Sequence, residues 1–171
     1  MSDLRRLVVL RHAKAEPFGE TDHARRLTER GQAAAADVGR HLRGRAVRPD
    51  LVLVSSAVRT RETWTAAASA GRLVECPARY EDALFSGSFD RVLELLREAP
   101  AAAGTVLLVG HNPTAELLCH FLDDGEGDPE ATTGLLGGFP PGALALLEVT
   151  VPWAGLAPET GRVAGYYVGR G

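Results

Sequence analysis

The sequence contains few of the residues that build disulfide scaffolds and metal sites. It has two cysteines, one lysine and five histidines among 171 residues. Cys76 and Cys119 form no CxxC pattern, and we predict that both are buried free thiols of a reducing compartment. The histidines form no HxH or HExxH pattern, so we predict that the protein uses no metal and no other cofactor.

The sequence also lacks a strong positive charge and a long apolar run. The formal net charge is −3, which excludes the overall basic field of many nucleic-acid-binding proteins. No apolar stretch approaches the roughly 20 residues that a membrane-spanning helix needs, and no signal-peptide core follows the charged residues 1–6. We predict a cytoplasmic protein that is a monomer or a weak dimer and has no nucleic-acid or membrane partner.

Length and composition predict one folded domain that covers residues 1–171. Hydrophobic residues make up 45% and charged residues 24% of the chain, which is typical of a soluble domain with a substantial core. Short apolar runs without alternation suit the strands of a covered parallel sheet. Such runs occur at residues 4–10, 51–54 and 105–109, and a weaker strand is predicted around Val74.

Two helices are predicted in the first half of the chain. The first begins after Thr28, which is a suitable N-cap, and its apolar stripe ends near Gly44. The second covers roughly residues 57–70. We expect Ser55 or Ser56 to cap this second helix.

Two further helices are predicted in the second half. Apolar residues at helical spacing over residues 89–96 indicate the third helix. Asn112 and Pro113 open the fourth, with asparagine as N-cap and proline at the first helical position. Residues 123–138 are acidic and rich in glycine, and we interpret them as an exposed loop.

The alternation of strands with helices predicts the fold class. This order implies a parallel sheet with helices on both faces. Residues 143–151 and 162–168 are predicted to pair as antiparallel strands. We therefore expect an α/β protein, a three-layer α/β/α sandwich whose mostly parallel sheet carries antiparallel strands at its C-terminal edge.

Two of the predicted strands are followed by histidines. Arg11 and His12 follow the first strand, and His111 and Asn112 follow a later one. Parallel strands present their carboxyl ends at one edge of a sheet, where open α/β sheets bind ligands, so we expect the histidines to lie together. Asn112 stands at a helix start, where free N–H groups attract anions, and is a candidate substrate-binding residue. An imidazole beside a guanidinium can attack phosphorus while the cation holds the phosphoryl oxygens.

Two more basic residues extend this group. Arg59 lies about one turn into the helix that leaves the same sheet edge, and arginine suits bidentate contact with phosphate. Lys14 is the only lysine in the chain and stands two residues after His12. We interpret it either as a substrate-binding residue at the mouth of the site or as a solvated loop residue.

The order of three motifs makes the chain similar to the histidine phosphatase superfamily, which includes the phosphoglycerate mutases. The Arg-His-Gly motif of that family corresponds to residues 11–13, its Ser-x-x-x-Arg-x-x-x-Thr motif to residues 55–63, and its late Gly-His motif to residues 110–113. The segment Asp-x-x-Arg-x-Leu-Thr-x-x-Gly at residues 22–31 resembles the short branch that contains the bacterial phosphohistidine phosphatase SixA. The resemblance covers about residues 4–121.

The resemblance implies a role for each residue of the group. His12 would be the nucleophile and would be transiently phosphorylated. The positive pocket around the phosphoryl group would consist of Arg11, Arg59 and His111. A neutral His12 and a cationic His111 would give a bell-shaped pH dependence.

The proton donor for the leaving group is less well specified by the sequence. Many relatives use a glutamate in a loop after the third strand, and this position falls within residues 80–85. We choose Asp82 over Glu81, and a third alternative is that no acid serves. A phosphohistidine needs less protonation of its leaving group than a serine phosphate does, so a weak or absent acid would favour labile phosphoramidate substrates.

The resemblance thus implies a metal-independent phosphatase that acts on a phosphorylated substrate. A phosphohistidine in a protein fits best, because the short connections predict an open, shallow pocket. Two alternatives remain open. One is a small-metabolite phosphatase or a phosphomutase of the same superfamily, and the other is a phospho-binding module without activity.

Overall fold

The computed structural model describes residues 4–171, so residues 1–3 of the segment considered for a signal peptide lie outside the described part. The strands are β1 (Arg5–Arg11), β2 (Leu51–Ser55), β3 (Ala78–Glu81), β4 (Thr105–Gly110), β5 (Ala143–Val149) and β6 (Gly161–Val168). The α-helices are α1 (Glu29–Gly44), α2 (Val58–Gly71), α3 (Ala83–Ser86), α4 (Phe89–Arg97), α5 (Thr114–Leu122) and α6 (Pro129–Leu136). None of these helices combines the length and the apolar composition that crossing a bilayer requires.

All six strands belong to one sheet in the order β3-β2-β4-β1-β5-β6. From β3 to β1 the neighbouring strands are parallel, whereas β5 is antiparallel to both β1 and β6. Each face of the sheet packs against helices. The predicted three-layer α/β/α sandwich, mostly parallel with an antiparallel pair at the C-terminal edge, is therefore confirmed.

The central strands divide their side chains between two cores, because successive residues of a strand point to opposite faces. Leu7 and Val9 of β1 belong to the larger core, which includes residues of α4, α5 and α6. Val8 and Leu10 belong to the core formed with α1 and α2. Burial on both faces explains why the strands are apolar throughout rather than alternating.

The first helix, α1, begins and ends where the sequence predicts. The hydroxyl oxygen of its N-cap, Thr28, accepts a hydrogen bond from the Gly31 amide. Its apolar stripe of Ala34, Val38 and Leu42 is buried under the sheet. A local cap and a stripe at helical spacing were sufficient to predict this helix.

The other two predicted N-caps are wrong. The residue before α2 is Ala57 rather than Ser55 or Ser56, and it makes no side-chain cap bond. The residue before α5 is Pro113 rather than Asn112. The hydroxyls of Ser55 and Ser56 lie against histidines elsewhere in the fold instead of capping α2. The Asn112 Oδ1 does accept a hydrogen bond from the Glu116 amide of α5 at 3.3 Å, although Asn112 lies one residue before the N-cap.

The strand predicted around Val74 is also misplaced. Arg72 ends α2 in the left-handed backbone region with φ of 59°. The chain then turns, and the Leu73 amide donates to the Ala68 carbonyl. Val74 is 71% exposed, and the strand begins only at Ala78.

The predicted loop at residues 123–138 contains the helix α6. The Asp128 carboxylate caps it by accepting a hydrogen bond from the Ala131 amide at 2.8 Å, and Pro129 occupies its first turn. Ala131 and Leu135 are buried in the larger core, and this burial outweighs the high local content of glycine. The Asp-Pro pair is the sequence signal for this helix start.

The packing of α1 on α2 requires glycine at position 39. A Cβ atom there would lie 2.0 Å from the Ala67 carbonyl oxygen. We expect Gly39→Ala to lower the free energy of unfolding by about 1–3 kcal/mol, the usual cost of overpacking, in denaturant titrations. The control is Gly44→Ala, where a Cβ meets nothing within 4 Å and the unfolding free energy should not fall. Equal losses in the two variants would contradict this explanation.

Candidate active site

The parallel register of β1 and β4 brings two histidines to one place. Arg11, the last residue of β1, pairs with Gly110, the last residue of β4. A histidine follows each strand, and the His12 amide donates to the Gly110 carbonyl at 3.0 Å. The ring centroids of His12 and His111 lie 5.3 Å apart. The two histidines thus lie side by side at the carboxyl edge of the sheet.

Backbone contacts determine which nitrogen of His12 can react. Its Nδ1 lies 2.7 Å from the Ala13 carbonyl oxygen, and because a carbonyl only accepts, Nδ1 carries the hydrogen. The free lone pair is therefore on Nε2. The Ala13 amide donates to Thr63 Oγ1 at 3.1 Å, and the Thr63 hydroxyl donates to the Arg59 carbonyl at 2.6 Å. The start of α2 thus holds the turn that orients His12.

His12 is a neutral imidazole at neutral pH. Burial lowers its pKa to about 4, and the charges of Arg59, Arg11 and Arg25 act in the same direction. The hydrogen bond to Ala13 raises the pKa but does not offset burial. A neutral ring keeps the lone pair that attack on phosphorus requires.

His111 is oriented by Ser55. The Ser55 Oγ accepts a hydrogen bond from the Ala57 amide at 3.4 Å and lies 2.7 Å from His111 Nε2. We assign the Ser55 hydrogen to this second contact, which places the hydrogen of a neutral His111 on Nδ1. Burial, followed by the charges of Arg59 and His12, lowers the pKa of His111 to about 3. The expected cationic His111 is therefore replaced by a neutral ring that offers an N–H donor.

Two guanidinium groups are held in place by backbone carbonyls. Arg11 Nη1 donates to the Phe139 carbonyl at 3.0 Å. Arg59 Nη1 donates to the Asp22 carbonyl at 2.8 Å, and its Nη2 lies 3.3 Å from the Asp22 carboxylate. Arg59 is only 6% exposed. Fixed, buried cations of this kind can stabilise the charge of phosphoryl oxygens.

Three N–H groups of these residues have no hydrogen-bond partner within residues 4–171. They are Nε of Arg11, Nε of Arg59 and Nδ1 of His111, and all three are buried. Buried donors in folded proteins are almost always paired. Unpaired donors on three neighbouring residues fit a ligand that is rich in acceptors, and a phosphoryl group has three such oxygens. We call Arg11, His12, Arg59 and His111 the phosphoryl pocket.

Two of the other predicted site residues lie outside the phosphoryl pocket. Asn112 Nδ2 donates to the Phe139 carbonyl at 3.0 Å, the same carbonyl that Arg11 contacts. Asn112 thus supports the segment that holds Arg11. Lys14 is exposed and lines a neighbouring cleft. Within residues 4–171, no group of three histidine, cysteine or acidic side chains is arranged to hold a metal ion.

The two alternatives for the proton donor lie at the end of β3. Asp82 is exposed, and its carbonyl accepts hydrogen bonds from the amides of Phe85 and Ser86. The Glu81 carbonyl accepts a bond from the Ser56 amide at 3.3 Å. None of the contacts described for either carboxylate reaches the phosphoryl pocket, so Asp82 stays a prediction.

Sequence reasoning missed two residues that contact the phosphoryl pocket. Asp22 holds the Arg59 guanidinium, and it stands in the Asp-x-x-Arg segment that carries the family resemblance. Phe85 belongs to the short helix α3, and its ring centroid lies 5.8 Å from that of His111 and 5.9 Å from Arg59 Cζ. No periodic signal marks a helix of four residues.

Comparisons with known proteins indicate the class to which this protein belongs. Residues 7–85 match the histidine phosphatase superfamily (branch 1). An uncharacterised protein of Mycobacterium tuberculosis is 34% identical over 163 residues, which cover 94% of this chain and 100% of that protein. A candidate phosphohistidine phosphatase SixA from Nakamurella multipartitia has 34% identity and a TM-score of 0.84, with 97% of this chain and 96% of that chain covered. A candidate SixA from Agrobacterium tumefaciens has 32% identity and a TM-score of 0.79, with 96% and 97% covered.

The fold and these relatives define the protein as a phosphatase. The chain belongs to the histidine phosphatase superfamily, in its SixA-type branch. The resemblance seen in the sequence motifs is therefore confirmed.

Removing the Ser55 hydroxyl should impair the phosphoryl pocket through His111. We expect Ser55→Ala to lower kcat/KM for phosphoramidate about 10- to 100-fold, because a buried hydrogen bond that orients the ring is worth about 1–3 kcal/mol. The control is Ser56→Ala, which removes a hydroxyl that lies 3.0 Å from His23 Nε2 and should keep most of the activity. Equal losses in both variants would show that the effect does not pass through His111.

The lowered pKa of His12 predicts an enzyme that stays active in mild acid. His12 attacks only as the neutral ring, and with a pKa of about 4 the neutral form persists as the pH falls from 8 to about 5. We expect kcat/KM, corrected for ionisation of the substrate, to stay level over this range and to fall about tenfold per pH unit below about pH 4. Circular dichroism checks that the protein remains folded. A midpoint near 6.5, the ordinary value for histidine, would contradict a buried neutral His12.

Proposed function

We propose that this phosphatase hydrolyses phosphohistidine in another protein by way of a phosphorylated His12. One observation carries the proposal. A neutral imidazole with a free Nε2 stands beside three buried N–H donors, on Arg11, Arg59 and His111, that have no partner within residues 4–171. A phosphoryl group would satisfy these donors and present phosphorus to Nε2.

In the first step the phosphoryl group moves from the substrate to His12. The lone pair of Nε2 forms a bond to phosphorus while the bond from phosphorus to the substrate imidazole breaks. A substrate ring that carries a proton on its other nitrogen leaves as neutral imidazole, so this transfer consumes no proton of the protein. His12 keeps its hydrogen on Nδ1, against the Ala13 carbonyl, and Arg11 and Arg59 balance the charge of the phosphoryl oxygens.

In the second step water releases the phosphoryl group from His12. The water oxygen bonds to phosphorus, the bond to Nε2 breaks, and inorganic phosphate leaves with both protons of the water. His12 returns to the neutral ring with which it started. Phosphorus has then exchanged a bond to nitrogen for a bond to oxygen.

The choice of phosphohistidine rests on the leaving group. An alcohol leaves a phosphate ester only when an acid protonates it, and no contact described for Asp82 or Glu81 reaches the phosphoryl pocket. An imidazole that already carries a proton on its other nitrogen can leave without a proton from the protein. If an acid does serve, Asp82 is the residue we propose. The candidate SixA phosphohistidine phosphatases at 34% and 32% identity support the same substrate class.

A substrate panel tests this choice. It compares a phosphohistidine peptide with the same peptide carrying phosphoserine and with a set of sugar phosphates. We expect kcat/KM for the phosphohistidine peptide to be at least about 100-fold higher than for the esters, a difference of about 2.7 kcal/mol in barrier. Faster hydrolysis of a sugar phosphate would favour a metabolite phosphatase, and tight binding without turnover would favour a binding module.

His12 should carry phosphate during turnover. Quenching the reaction in alkali, where phosphohistidine survives, should yield a phosphorylated peptide with the phosphate on His12 in mass spectrometry. We expect His12→Ala to lose at least about a thousandfold in kcat. His120→Ala, a change in a partly exposed side chain of α5, is the control and should keep its activity. An active His12→Ala variant would refute the mechanism.

A further inference from the structure

A cleft of about 770 Å³ lies at the same sheet edge as the phosphoryl pocket, is lined by other residues, and takes no part in the chemistry described so far. It lies between the loop after β1, the first turn of α1 and the residues that follow β6. Its lining includes Lys14, Arg30, Pro141, Tyr166, Tyr167 and Arg170, and we call it the basic cleft. Cavities of this size hold ligands larger than a single ion.

The basic cleft lies at the same edge of the sheet as His12, because β6, which ends at the cleft, runs in the same direction as β1. Lys14, on one wall, follows His12 by two residues. On the opposite wall, Pro141 precedes Gly142, whose amide donates to the carbonyls of His12 at 2.9 Å and Arg11 at 3.2 Å. A phosphoprotein whose phosphoryl group lies at His12 would therefore present its neighbouring residues along the sheet edge that holds the basic cleft.

Within residues 4–171, three basic side chains and no acidic side chain line the basic cleft, although the chain has a net charge of −3. The side chains of Lys14, Arg30 and Arg170 come from three separate segments, and none has a carboxylate partner within the part of the chain that the structure describes. The nearby Asp37 carboxylate already accepts hydrogen bonds from the Tyr167 hydroxyl at 2.6 Å and the Arg170 amide at 3.0 Å. Exposed cations without partners attract an acidic ligand.

The basic cleft is formed before any ligand binds. The Tyr167 ring stacks on His41 with centroids 3.9 Å apart and planes 7° from parallel. The Gly169 amide donates to the Gly142 carbonyl at 3.1 Å, and a Cβ at Gly169 would lie 2.4 Å from the Ala34 carbonyl oxygen. The residues after β6 are thus packed against α1. A preformed site avoids part of the entropic cost of binding.

We propose that the basic cleft binds an acidic segment of the phosphoprotein substrate, adjacent to its phosphohistidine. The inference rests on the proposed function, because it takes the phosphoryl group of the same molecule to be at His12. A peptide segment fits better than a lone anion, since the three cations belong to three chain segments around a large, open volume. The substrate class is therefore a phosphohistidine with aspartate or glutamate residues beside it.

Two phosphohistidine peptides test the proposal, one with three glutamates beside the phosphohistidine and one with three glutamines. We expect kcat/KM to be about tenfold higher for the glutamate peptide at about 25 mM salt, and most of this ratio to disappear at about 0.5 M salt. In the Arg30→Gln/Arg170→Gln variant the ratio should approach one. In Arg30→Glu/Arg170→Glu the preference should shift to a peptide with three lysines. Because the ratio compares kcat/KM for two peptides on the same variant, any general effect of the substitutions on the phosphoryl pocket cancels.

The control is Arg48→Gln/Arg79→Gln, which removes two exposed arginines outside the basic cleft and should keep the ratio. A ratio near one in the unaltered protein, or a ratio that survives in Arg30→Gln/Arg170→Gln, would overturn the proposal. Failure of the proposed function looks different, because neither peptide nor phosphoramidate would then be hydrolysed. In that case the affinity of His12→Ala for the two labelled peptides, measured by fluorescence anisotropy, still decides whether the cleft selects acidic segments.

Discussion

The parallel pairing of β1 with β4 is the constraint on which the site depends. Arg11 and Gly110 are paired in register, so the residue that follows each strand emerges at the same level of the sheet edge. A slip of one residue would turn every side chain of β1 to the opposite face of the sheet. It would also break the hydrogen bond from the His12 amide to the Gly110 carbonyl. The buried, apolar character of both strands on both faces therefore protects the chemistry at their ends.

Burial then determines the protonation state of the phosphoryl pocket. The loss of water contact on burial, followed by the charges of two arginines, lowers the pKa values of both histidines. The guanidinium groups of the same arginines supply the positive charge of the phosphoryl pocket, and His12 supplies a neutral nucleophile beside them. The Ala13 carbonyl and the Ser55 hydroxyl complete the arrangement, since each holds one ring nitrogen and leaves the other available.

The turn after β1 contributes His12 to the phosphoryl pocket and Lys14 to the basic cleft. This turn is held by Thr63 of α2 on one side and by Gly142, ahead of β5, on the other. The parallel half of the sheet therefore supplies the reacting groups, whereas the cations of the neighbouring cleft come from the loop after β1, from α1 and from the end of β6. With the proposed phosphohistidine substrate, such an enzyme would recognise the residues around the phosphohistidine separately from the phosphoryl group itself.

Local signals predicted those elements whose own residues carry a strong local pattern. Thr28 caps α1 as expected, and apolar runs marked the central strands. The predictions failed where tertiary contacts override local preference. Ser55 resembles an N-cap, but its hydroxyl lies against His111 across the sheet edge. Asn112 lies one residue before the N-cap of α5 and divides its hydrogen bonds between the Glu116 amide and the Phe139 carbonyl. The helix α6 forms in a glycine-rich segment because Ala131 and Leu135 reach the core.

The sequence by itself determined the class of the protein, because the order and spacing of its motifs carry the family resemblance. It also determined which residues to consider, since strand ends that carry histidine and arginine are visible as short patterns. Only the tertiary structure decided that His111 is neutral, that Asp22 holds Arg59, and that Phe85 packs on the pocket. These features depend on burial and on contacts between residues distant in the chain. Spacing along a sequence encodes the periodicity of helices and strands but not the depth at which a side chain is buried.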